Sequence, residues 1–347
     1  MKKVPTMPSI SVVMPVYNVA EFVAVAIRSV LDQTMADFEM IIVDDCSPDN
    51  SIEICESFQD PRIRIVRHQQ NRGLAGARNT GIHAARAPLI AFLDSDDFWH
   101  PEKLDKHLQH LNQRASVGIS FSRSAFVDRW GMPLRCYQMP LLSGITPDHL
   151  FCRNPVGNGS APVVRREVFD AIGYQAEFRG EPEIRYFDSE LRRSEDIECW
   201  LRISLQTNWS IEGIPEPLTF YRLNEGGLSS NLHKQLESWE EVVEKTRRYS
   251  PQFVERHYRT ARAYQLRYLS RQAIRLGDGE TAMRFLQRAF AADKRMLTQE
   301  PARTLCTAGA AFLLKLLPRG YRLVEWQALQ IIGLLQKRRI QRDIKTV

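Results

Sequence analysis

The strongest constraint on the fold is a regular alternation of strand-like and helix-like segments over the first 125 residues. Apolar runs at residues 10–16, 38–43, 62–66 and 89–93 are each followed by a segment whose apolar side chains recur at helical spacing. Four such repeats predict an α/β fold in which a mostly parallel sheet carries helices on both faces. Such folds bind ligands at the carboxyl ends of the strands, so the residues after each strand are candidates for a site.

The rest of the chain predicts a second region made of helices. Up to residue 231 we expect short strands, a helix at residues 196–206 and a last strand at residues 218–223. From residue 232 every segment has helical spacing, and residues 264–276 and 281–292 resemble a hairpin of two helices. We therefore expect an α/β domain over residues 1–231 and a helical region over residues 232–347.

The net charge of +6 is divided unequally between the two regions. Residues 241–347 contain 22 basic and 9 acidic side chains, a net +13, whereas residues 1–240 contain 25 and 32, a net −7. The six Cys are spaced too widely for a zinc site or a disulfide framework, and the N-terminus lacks the apolar segment of a signal peptide. We expect a cytoplasmic protein without a membrane-spanning helix.

Glycine patterns exclude three common classes of enzyme. The chain has no GxGxxG after the first strand, no GxxxxGK[ST] and no GxSxG. A nicotinamide or flavin fingerprint, a phosphate-loop NTPase and a hydrolase nucleophile elbow are therefore not expected.

Acidic side chains follow two of the predicted strands at the same edge of the sheet. DDCSPDNS follows the second strand at residues 44–51, and DSDD follows the fourth at residues 94–97. Neighbouring carboxylates repel one another unless a positive charge lies between them. Mg²⁺ is typically held by one or two carboxylates together with phosphate oxygens. The pattern therefore predicts a nucleotide site that uses Mn²⁺ or Mg²⁺.

Five segments resemble the inverting family-2 glycosyltransferases of the GT-A fold. SVVMPVYN, IIVDDCSPDNS, NRGLAGARNTGI, IAFLDSDDFWHPEKL and SEDIECWLR occur in the order and spacing of that family, and the resemblance extends to about residue 230. It implies metal-dependent transfer of a hexosyl or N-acetylhexosaminyl group from a nucleotide-diphosphate donor, by default a UDP-sugar. The implied acceptor is a hydroxyl of a saccharide or lipid-linked saccharide in cell-surface polysaccharide or glycolipid assembly.

The resemblance implies a base-binding group at the ends of the first two strands. Pro15 and Tyr17 would line the base pocket, and Asn18 follows them in the same loop. Asp45 would accept a hydrogen bond from the uracil imide, and Asp44 would support its loop.

Other residues would hold the diphosphate and the sugar by the same resemblance. Arg78 would lie near the nucleotide or diphosphate, and Asp94, Ser95 and Asp96 form the DXD motif. Asp94 would face the ribose, and Asp96 would bind the metal. Asp97 would position the donor sugar.

The acceptor side is expected at the Glu195-Asp196 pair. Asp196 would act as the general base that takes the proton of the acceptor hydroxyl, and Glu195 would bind the acceptor or fix the loop. Arg222 is a candidate diphosphate contact. Asn224 stands where many members have a His, so a third protein ligand to the metal is left open. No QxxRW signature follows Asp196, which predicts single or few additions.

Two other function classes remain as alternatives. A nucleotidyltransferase would be expected to have a GxGxR-type loop with Lys after the first strand, and PVYN is not such a loop. A catalytically inactive binding protein would be expected to have lost carboxylates, whereas Asp96 and Asp196 are present. His107 and His110 are expected on the exposed face of a helix.

The basic tail has three interpretations. Nucleic-acid binding is not expected, because no recognition motif accompanies the basic residues. The second interpretation is a solvated helical face or an oligomer contact. The third is a helix lying on an anionic membrane, as a peripheral protein on the inner face of the plasma membrane. The residues that suggest it are Leu313, Leu314, Leu316, Leu317, Leu323, Trp326, Leu329, Ile332 and Leu335, beside Arg319, Arg322, Lys337, Arg338 and Arg339.

Overall fold

The computed structural model describes residues 7–223 and 231–346, in two compact units. The sheet unit takes in the chain up to Ile145, the segment that begins at Pro155, and the end of the chain from Gln336. The helical unit takes in Thr146–Asn154 and the segment that ends at Leu335. Residues 224–230, next to the predicted domain boundary at residue 231, lie outside the described residues. Asn224, the position at which a third metal ligand was left open, is among them.

The alternation expected from the sequence is present. The described strands are β1 (Ile10–Val16), β2 (Phe38–Asp44), β3 (Ile63–Arg67), β4 (Leu89–Phe92), β5 (Phe98–Trp99), β6 (Val117–Val127), β7 (Pro133–Tyr137), β8 (Pro162–Arg165), β9 (Tyr174–Phe178), β10 (Glu181–Arg185) and β11 (Ser210–Arg222). The described helices are α1 (Val23–Leu31), α2 (Ser51–Glu56), α3 (Gly73–Ala84), α4 (Lys103–Gln113), α5 (Pro147–Cys152), α6 (Arg166–Ile172), α7 (Glu195–Gln206), α8 (Leu232–Tyr249), α9 (Pro251–Arg275), α10 (Gly279–Ala292), α11 (Met296–Gln299), α12 (Pro301–Leu316) and α13 (Pro318–Lys345).

The main sheet of the sheet unit has the strand order β3-β2-β1-β4-β8-β6-β11-β5, with β7 beside β6. The first four strands of this order are parallel, as the repeated strand–helix pattern predicts. β8 then runs antiparallel to both β4 and β6, so the sheet as a whole is mixed. β1 and β2 are buried at every position, which explains their continuous apolar sequence.

The register of the parallel strands brings their ends to one edge. Val16 at the end of β1 lies opposite Asp44 at the end of β2, and Val13 lies opposite Phe92 at the end of β4. α3 packs closely against β1. The approach leaves no room for a side chain at Gly81, since a Cβ there would lie 2.1 Å from Val13 Cγ1. The loops that follow β1, β2 and β4 therefore meet at this carboxyl edge, as predicted.

The two histidines of α4 are not exposed as the sequence suggested. His107 is buried, and its ring nitrogens lie 3.1 Å from Lys103 Nζ and 2.7 Å from Ser120 Oγ. His110 is half-buried and lies 2.8 Å from the same Ser120 hydroxyl. The expectation was wrong because α4 packs its polar side chains against polar residues of β6, which helical spacing alone does not reveal.

The helical unit contains the predicted hairpin as α9 and α10. Gly277, with φ +75°, follows the end of α9, and Asp278 caps α10 by accepting a hydrogen bond from the Thr281 amide. Ser270 Oγ donates to the Ala282 carbonyl at 2.8 Å, which joins the two helices. Among the described residues, no helix is both long and apolar enough to cross a lipid bilayer.

Candidate active site

The loop after β1 presents Tyr17 and Asn18 at the carboxyl edge. The Tyr17 side chain is 50% exposed, whereas Pro15 is buried within β1. Asn18 has φ +56° and its amide donates to Ser47 Oγ at 2.8 Å. Cys46, in the next loop, also has a positive φ of +60°. Left-handed conformations of non-glycine residues are costly and cluster at functional sites.

Asp44 and Asp49 fix the loop after β2. Asp44 accepts a hydrogen bond from the Ser47 amide at 2.9 Å, which is the supporting role expected for it. Asp49 accepts from the Ala20 amide at 2.9 Å and from the Ser47 hydroxyl at 2.8 Å. Burial alone would raise the pKa of Asp49, but hydrogen bonds from the Ser51 hydroxyl, the Ala20 amide and the Ser47 hydroxyl lower it to about 2. The loop after β2 is thereby tied to the loop after β1.

Asp45 follows β2 directly and binds the start of α3. Its carboxylate is buried, and it accepts hydrogen bonds from the amides of Arg72 at 2.7 Å and Gly73 at 2.8 Å. His68 Nδ1 lies 2.7 Å from the same group. A carboxylate is stabilised at a helix N-terminus, and these amides begin α3. Asp45 therefore holds the start of α3 beside the end of β2, and its hydrogen bond to a uracil imide stays a prediction.

The DXD loop follows β4 and is bent back on itself. The Asp97 amide donates to the Asp94 carbonyl at 2.9 Å. Asp94 and Asp96 are half-buried, and Ser95 is buried between them. The two half-buried carboxylates of the motif are the ones that the resemblance assigns to the ribose and the metal.

Asp97 supports the DXD loop from within the protein. It is 1% exposed, and its two oxygens accept hydrogen bonds from Ser160 Oγ at 2.6 Å and from the Arg222 amide at 2.9 Å. Burial, together with the nearby Asp96 and Asp94, raises the pKa of Asp97 well above its usual range. Asp97 therefore holds the DXD loop to Ser160 and to the end of β11, and its role toward the donor sugar stays a prediction.

Arg222 likewise acts on the backbone. Its Nε donates to the Asp96 carbonyl at 2.7 Å, and Nη1 donates to the Arg129 carbonyl at 2.6 Å. The side chain is buried at the end of β11 beside the Phe98 ring. These bonds hold the Asp96 segment in place, and the diphosphate contact of Arg222 stays a prediction.

Arg78 joins the donor-side and acceptor-side motifs. It is 2% exposed; Nη2 donates to Asp94 Oδ1 and Nη1 donates to Glu195 Oε1, both at 2.7 Å. Burial alone would lower the pKa of Arg78, but the Asp94 and Glu195 carboxylates outweigh that effect and raise it. The guanidinium therefore stays charged and links the DXD loop to the first turn of α7, which are far apart in the sequence.

The acidic pair lies in the first turn of α7. Ser194, immediately before it, has φ +60°. Glu195 is buried, and burial raises its pKa to about 7 although Arg78 opposes the shift. Asp196 is half-buried, and its Oδ1 accepts from the Ile197 amide at 2.8 Å.

Two residues of the site were missed by the sequence analysis. A Cβ on Gly159 would lie 2.0 Å from Arg78 Nη2 and 2.5 Å from Asp94 Oδ2, so only glycine fits there. Ser160, besides its bond to Asp97, accepts from the Asp94 amide at 3.0 Å. The segment GNGSAP contains a glycine pair that suggests close packing, but its contacts span more than sixty residues and leave no local pattern.

The described residues contain no group of three His, Cys, Asp or Glu side chains arranged to hold a metal ion. This does not conflict with a divalent ion, because Mg²⁺ commonly uses one or two protein carboxylates and completes its shell with phosphate and water. The half-buried carboxylates of Asp94 and Asp96 fit that sparse type of site.

These features define a nucleotide-sugar type of site, and the comparisons identify the family. Residues 11–173 match the model described as Glycosyl transferase family 2. TuaG of Bacillus subtilis (strain 168), a glycosyltransferase named for teichuronic acid biosynthesis, is 31% identical over 229 residues, which is 65% of this chain and 84% of that protein. The chain belongs to glycosyltransferase family 2, so the predicted family is confirmed.

One further relative is similar in sequence, and two solved structures are similar in fold. The Escherichia coli UDP-Glc:α-D-GlcNAc-diphosphoundecaprenol β-1,3-glucosyltransferase WfgD is 29% identical over 242 residues, 67% of this chain and 85% of that protein. The mannosyltransferase PcManGT from Pyrobaculum calidifontis, solved with GDP-Man and Mn²⁺, has a TM-score of 0.57 at 19% identity, covering 96% and 87% of the two chains. The structure of S. aureus TarS 1–349 in complex with UDP-GlcNAc has a TM-score of 0.53 at 16% identity, and the match covers 97% of this chain and 91% of that one. The GT-A fold is thereby confirmed.

Proposed function

We propose that this glycosyltransferase is metal-dependent and inverting, and that it adds one or a few hexosyl or N-acetylhexosaminyl groups from a UDP-sugar to an acceptor hydroxyl. The observation that carries the proposal is the Arg78 guanidinium, which bonds Asp94 of the DXD motif and Glu195 of the acidic pair. Through this one side chain, the loop assigned to the donor and the helix assigned to the acceptor are held within one hydrogen-bonded network.

The donor side of the site supports nucleotide binding. The exposed Tyr17 ring is available to stack on a base, and Asp94 is assigned to the ribose. Mn²⁺ or Mg²⁺ held by Asp96 would neutralise the negative charge that gathers on the departing diphosphate. UDP is favoured because WfgD is named for UDP-Glc and TarS was solved with UDP-GlcNAc.

The acceptor side supports general base catalysis. Asp196 takes the proton of the acceptor hydroxyl as the oxygen attacks the anomeric carbon. A single displacement from the face opposite the leaving group inverts that carbon, and inverting glycosidases use a comparable arrangement with water. Glu195, paired with Arg78, positions α7 for this step.

The acceptor that we propose is a lipid-linked saccharide in the assembly of a polysaccharide or glycolipid. WfgD, whose name specifies a diphosphoundecaprenol acceptor, supports this choice. Such an acceptor would bring the enzyme to the inner face of the plasma membrane as a peripheral protein. We assign the catalytic steps to residues 1–231.

A thermal-shift screen of UDP-, GDP- and dTDP-sugars, with and without Mn²⁺, tests the donor. We expect at least one donor to raise the melting temperature only when the metal is present, because diphosphate and ion complete one another's coordination. If no nucleotide diphosphate stabilises the protein at any metal concentration, the proposal is wrong.

Asp196→Asn tests the assignment of Asp196 as the general base. We expect the transfer rate to fall by about 10²–10⁴-fold while the donor-induced shift is retained. Asp170→Asn, which changes an exposed carboxylate of α6, is the matched control and should leave the rate unchanged. A wild-type rate in Asp196→Asn contradicts the mechanism.

A further inference from the structure

The last two helices expose large apolar side chains to solvent. On α12, Leu305, Phe312 and Leu316 share one face at the spacing i, i+7, i+11, and Phe312 is 57% exposed. The other face of α12 buries Thr304, Thr307, Ala311 and Leu314. The helix is therefore already packed, and its apolar stripe points away from that packing.

α13 also exposes apolar side chains, and it is buried even less than α12. Val324, Ile331 and Leu335 share one side of this helix at the spacing i, i+7, i+11, and Ile331 is 59% exposed. Leu329, Ile332 and Leu334 are exposed on its other sides. Over the 28 residues of this helix, the described residues that are buried are Tyr321, Gly333 and Ile340. We call the exposed large apolar side chains between residues 305 and 335 the tail face; they are Leu305, Phe312, Leu316, Leu317, Val324, Leu329, Ile331, Ile332, Leu334 and Leu335.

The structure changes the residue set expected from the sequence. Leu314 is buried and Leu313 is half-buried, so neither belongs to the tail face. The tail face also contains residues that the sequence did not suggest, which are Leu305, Phe312, Val324, Ile331 and Leu334. The side chains of Arg322, Leu323 and Trp326 lie outside the described part of the chain.

The charge around the tail face favours one kind of partner. Residues 301–347 contain nine basic and two acidic side chains. Two copies of the chain meeting at this face would bring like charges together, which opposes association. An anionic surface would be attracted instead, and an exposed apolar patch of this extent is typical of an interaction site.

We propose that the tail face binds the surface of an anionic lipid bilayer, with α12 and α13 lying in the headgroup region. Helices with apolar stripes and flanking Lys and Arg bind in this way without spanning the bilayer. The inference goes beyond sugar transfer and does not depend on it, because vesicle binding is measured without donor or acceptor.

Co-sedimentation of the full chain with vesicles tests the proposal. We expect binding to vesicles that contain phosphatidylglycerol, little binding to phosphatidylcholine alone, and weaker binding as salt is raised. Phe312→Ser/Leu316→Ser should weaken binding by about tenfold or more, because two inserted side chains are lost. Arg319→Gln, Lys337→Gln and Arg338→Gln should each weaken it by up to roughly fivefold.

The matched control is Trp130→Ser. Trp130 is also a highly exposed large apolar side chain, but it lies in the turn before β7, outside the tail face. The Trp130→Ser variant should bind vesicles as the wild type does. All variants should keep the donor-induced thermal shift, so a folding defect or a failure of the proposed function is recognised separately.

Three results would overturn the inference. The first is no binding of the wild type to phosphatidylglycerol vesicles at low salt. The second is a loss in Trp130→Ser as large as that in the Phe312→Ser/Leu316→Ser variant. The third is a dimer in sedimentation velocity that Phe312→Ser/Leu316→Ser dissociates, because a second copy would then cover the tail face.

Discussion

The sheet unit and the last two helices use charged and apolar side chains in opposite ways. In the sheet unit, apolar side chains fill the interior, and charged groups such as Arg78 and Asp97 are buried with partners at the carboxyl edge. On α12 and α13, apolar side chains face outward among basic residues. The −7 of residues 1–240 and the +13 of residues 241–347 reflect this difference.

The comparison teaches that burial decides what a charge can do. A buried ion must be paired and hydrogen-bonded, so its position is fixed and can serve chemistry. An exposed charge is screened and mobile, and it contributes attraction to a surface without a fixed geometry. Substitutions should therefore be costly in the first region and nearly silent for folding in the second.

Arg78→Gln should produce the largest effect. Removing the guanidinium leaves Asp94 and Glu195 without their shared partner, and breaking a buried ion pair costs about 3–5 kcal/mol of unfolding free energy. Transfer should fall as well, because the DXD loop and α7 are no longer held together. Chemical denaturation and the transfer rate at a temperature where the variant is folded measure the two effects.

Arg202→Gln is the matched control for Arg78→Gln. Arg202 is also buried, pairs with Glu198 on the same helix, and donates to backbone carbonyls away from the DXD loop. It should be destabilised similarly while retaining much more activity per folded molecule. Equal loss of activity in both variants would show that Arg78 acts only through stability.

Phenylalanine truncation compares the two regions directly. Phe169→Ala removes a fully buried ring that packs on Phe92 and Phe187, and should cost about 3–5 kcal/mol. Phe312→Ala removes an exposed ring and should change the unfolding free energy by less than about 0.5 kcal/mol. Urea unfolding in the absence of lipid measures both. A large cost for Phe312→Ala would mean that the tail face is covered within the protein.

A Gly→Ala substitution should lower the unfolding free energy in the sheet unit and raise it in α12. Gly159→Ala places a methyl group against Arg78 and Asp94, and should cost about 1–3 kcal/mol and lower the transfer rate. Gly309→Ala lies in α12 with open space around it, and should stabilise the helix by up to about 1 kcal/mol. Thermal unfolding of the two variants checks the signs. Stabilisation by Gly159→Ala would contradict the close approach at the site.

The pH dependence of stability should differ in sign between a buried acid of the sheet unit and a capping acid of the helical unit. Burial raises the pKa of Glu195 from 4.5 to about 7, so the folded state binds more protons than the unfolded state between these values. Its contribution is full below about pH 4.5 and is lost as pH rises to about 7, at no more than about 1.4 kcal/mol per pH unit. Glu195→Gln should reduce this slope in denaturation curves by the part that Glu195 contributes, and Asp97, whose pKa is also raised by burial, should keep its own part.

Asp278 of the helical unit is the control, because its pKa is lowered whereas that of Glu195 is raised. Hydrogen bonds with Thr281 at the start of α10 lower its pKa, so its contribution is present above its unfolded value and is lost as the solution becomes more acidic. Asp278→Asn should therefore leave the slope between pH 4.5 and 7 unchanged. If the slope persists in Glu195→Gln, another buried acid carries it.

Much of the fold was predictable because it is encoded locally. The apolar runs at β1, β2 and β4, and the helices between them, have periods that any window of the sequence reveals. The assignment of acids to one edge followed from the parallel connection of those strands. The contacts of Asp45, Asp97 and Arg222 were not predictable, because their partners lie 23 to 126 residues away.

By itself, the sequence determined the α/β alternation, the family motifs, the positions of the carboxylates at the strand ends and the basic tail, since each is a local pattern of residue types. The tertiary structure alone decided which carboxylates are buried and paired, that Arg78 joins Asp94 to Glu195, and which face of α12 is exposed. The physical reason is that desolvation and hydrogen-bond partners depend on residues brought together by folding, and local spacing carries no record of them.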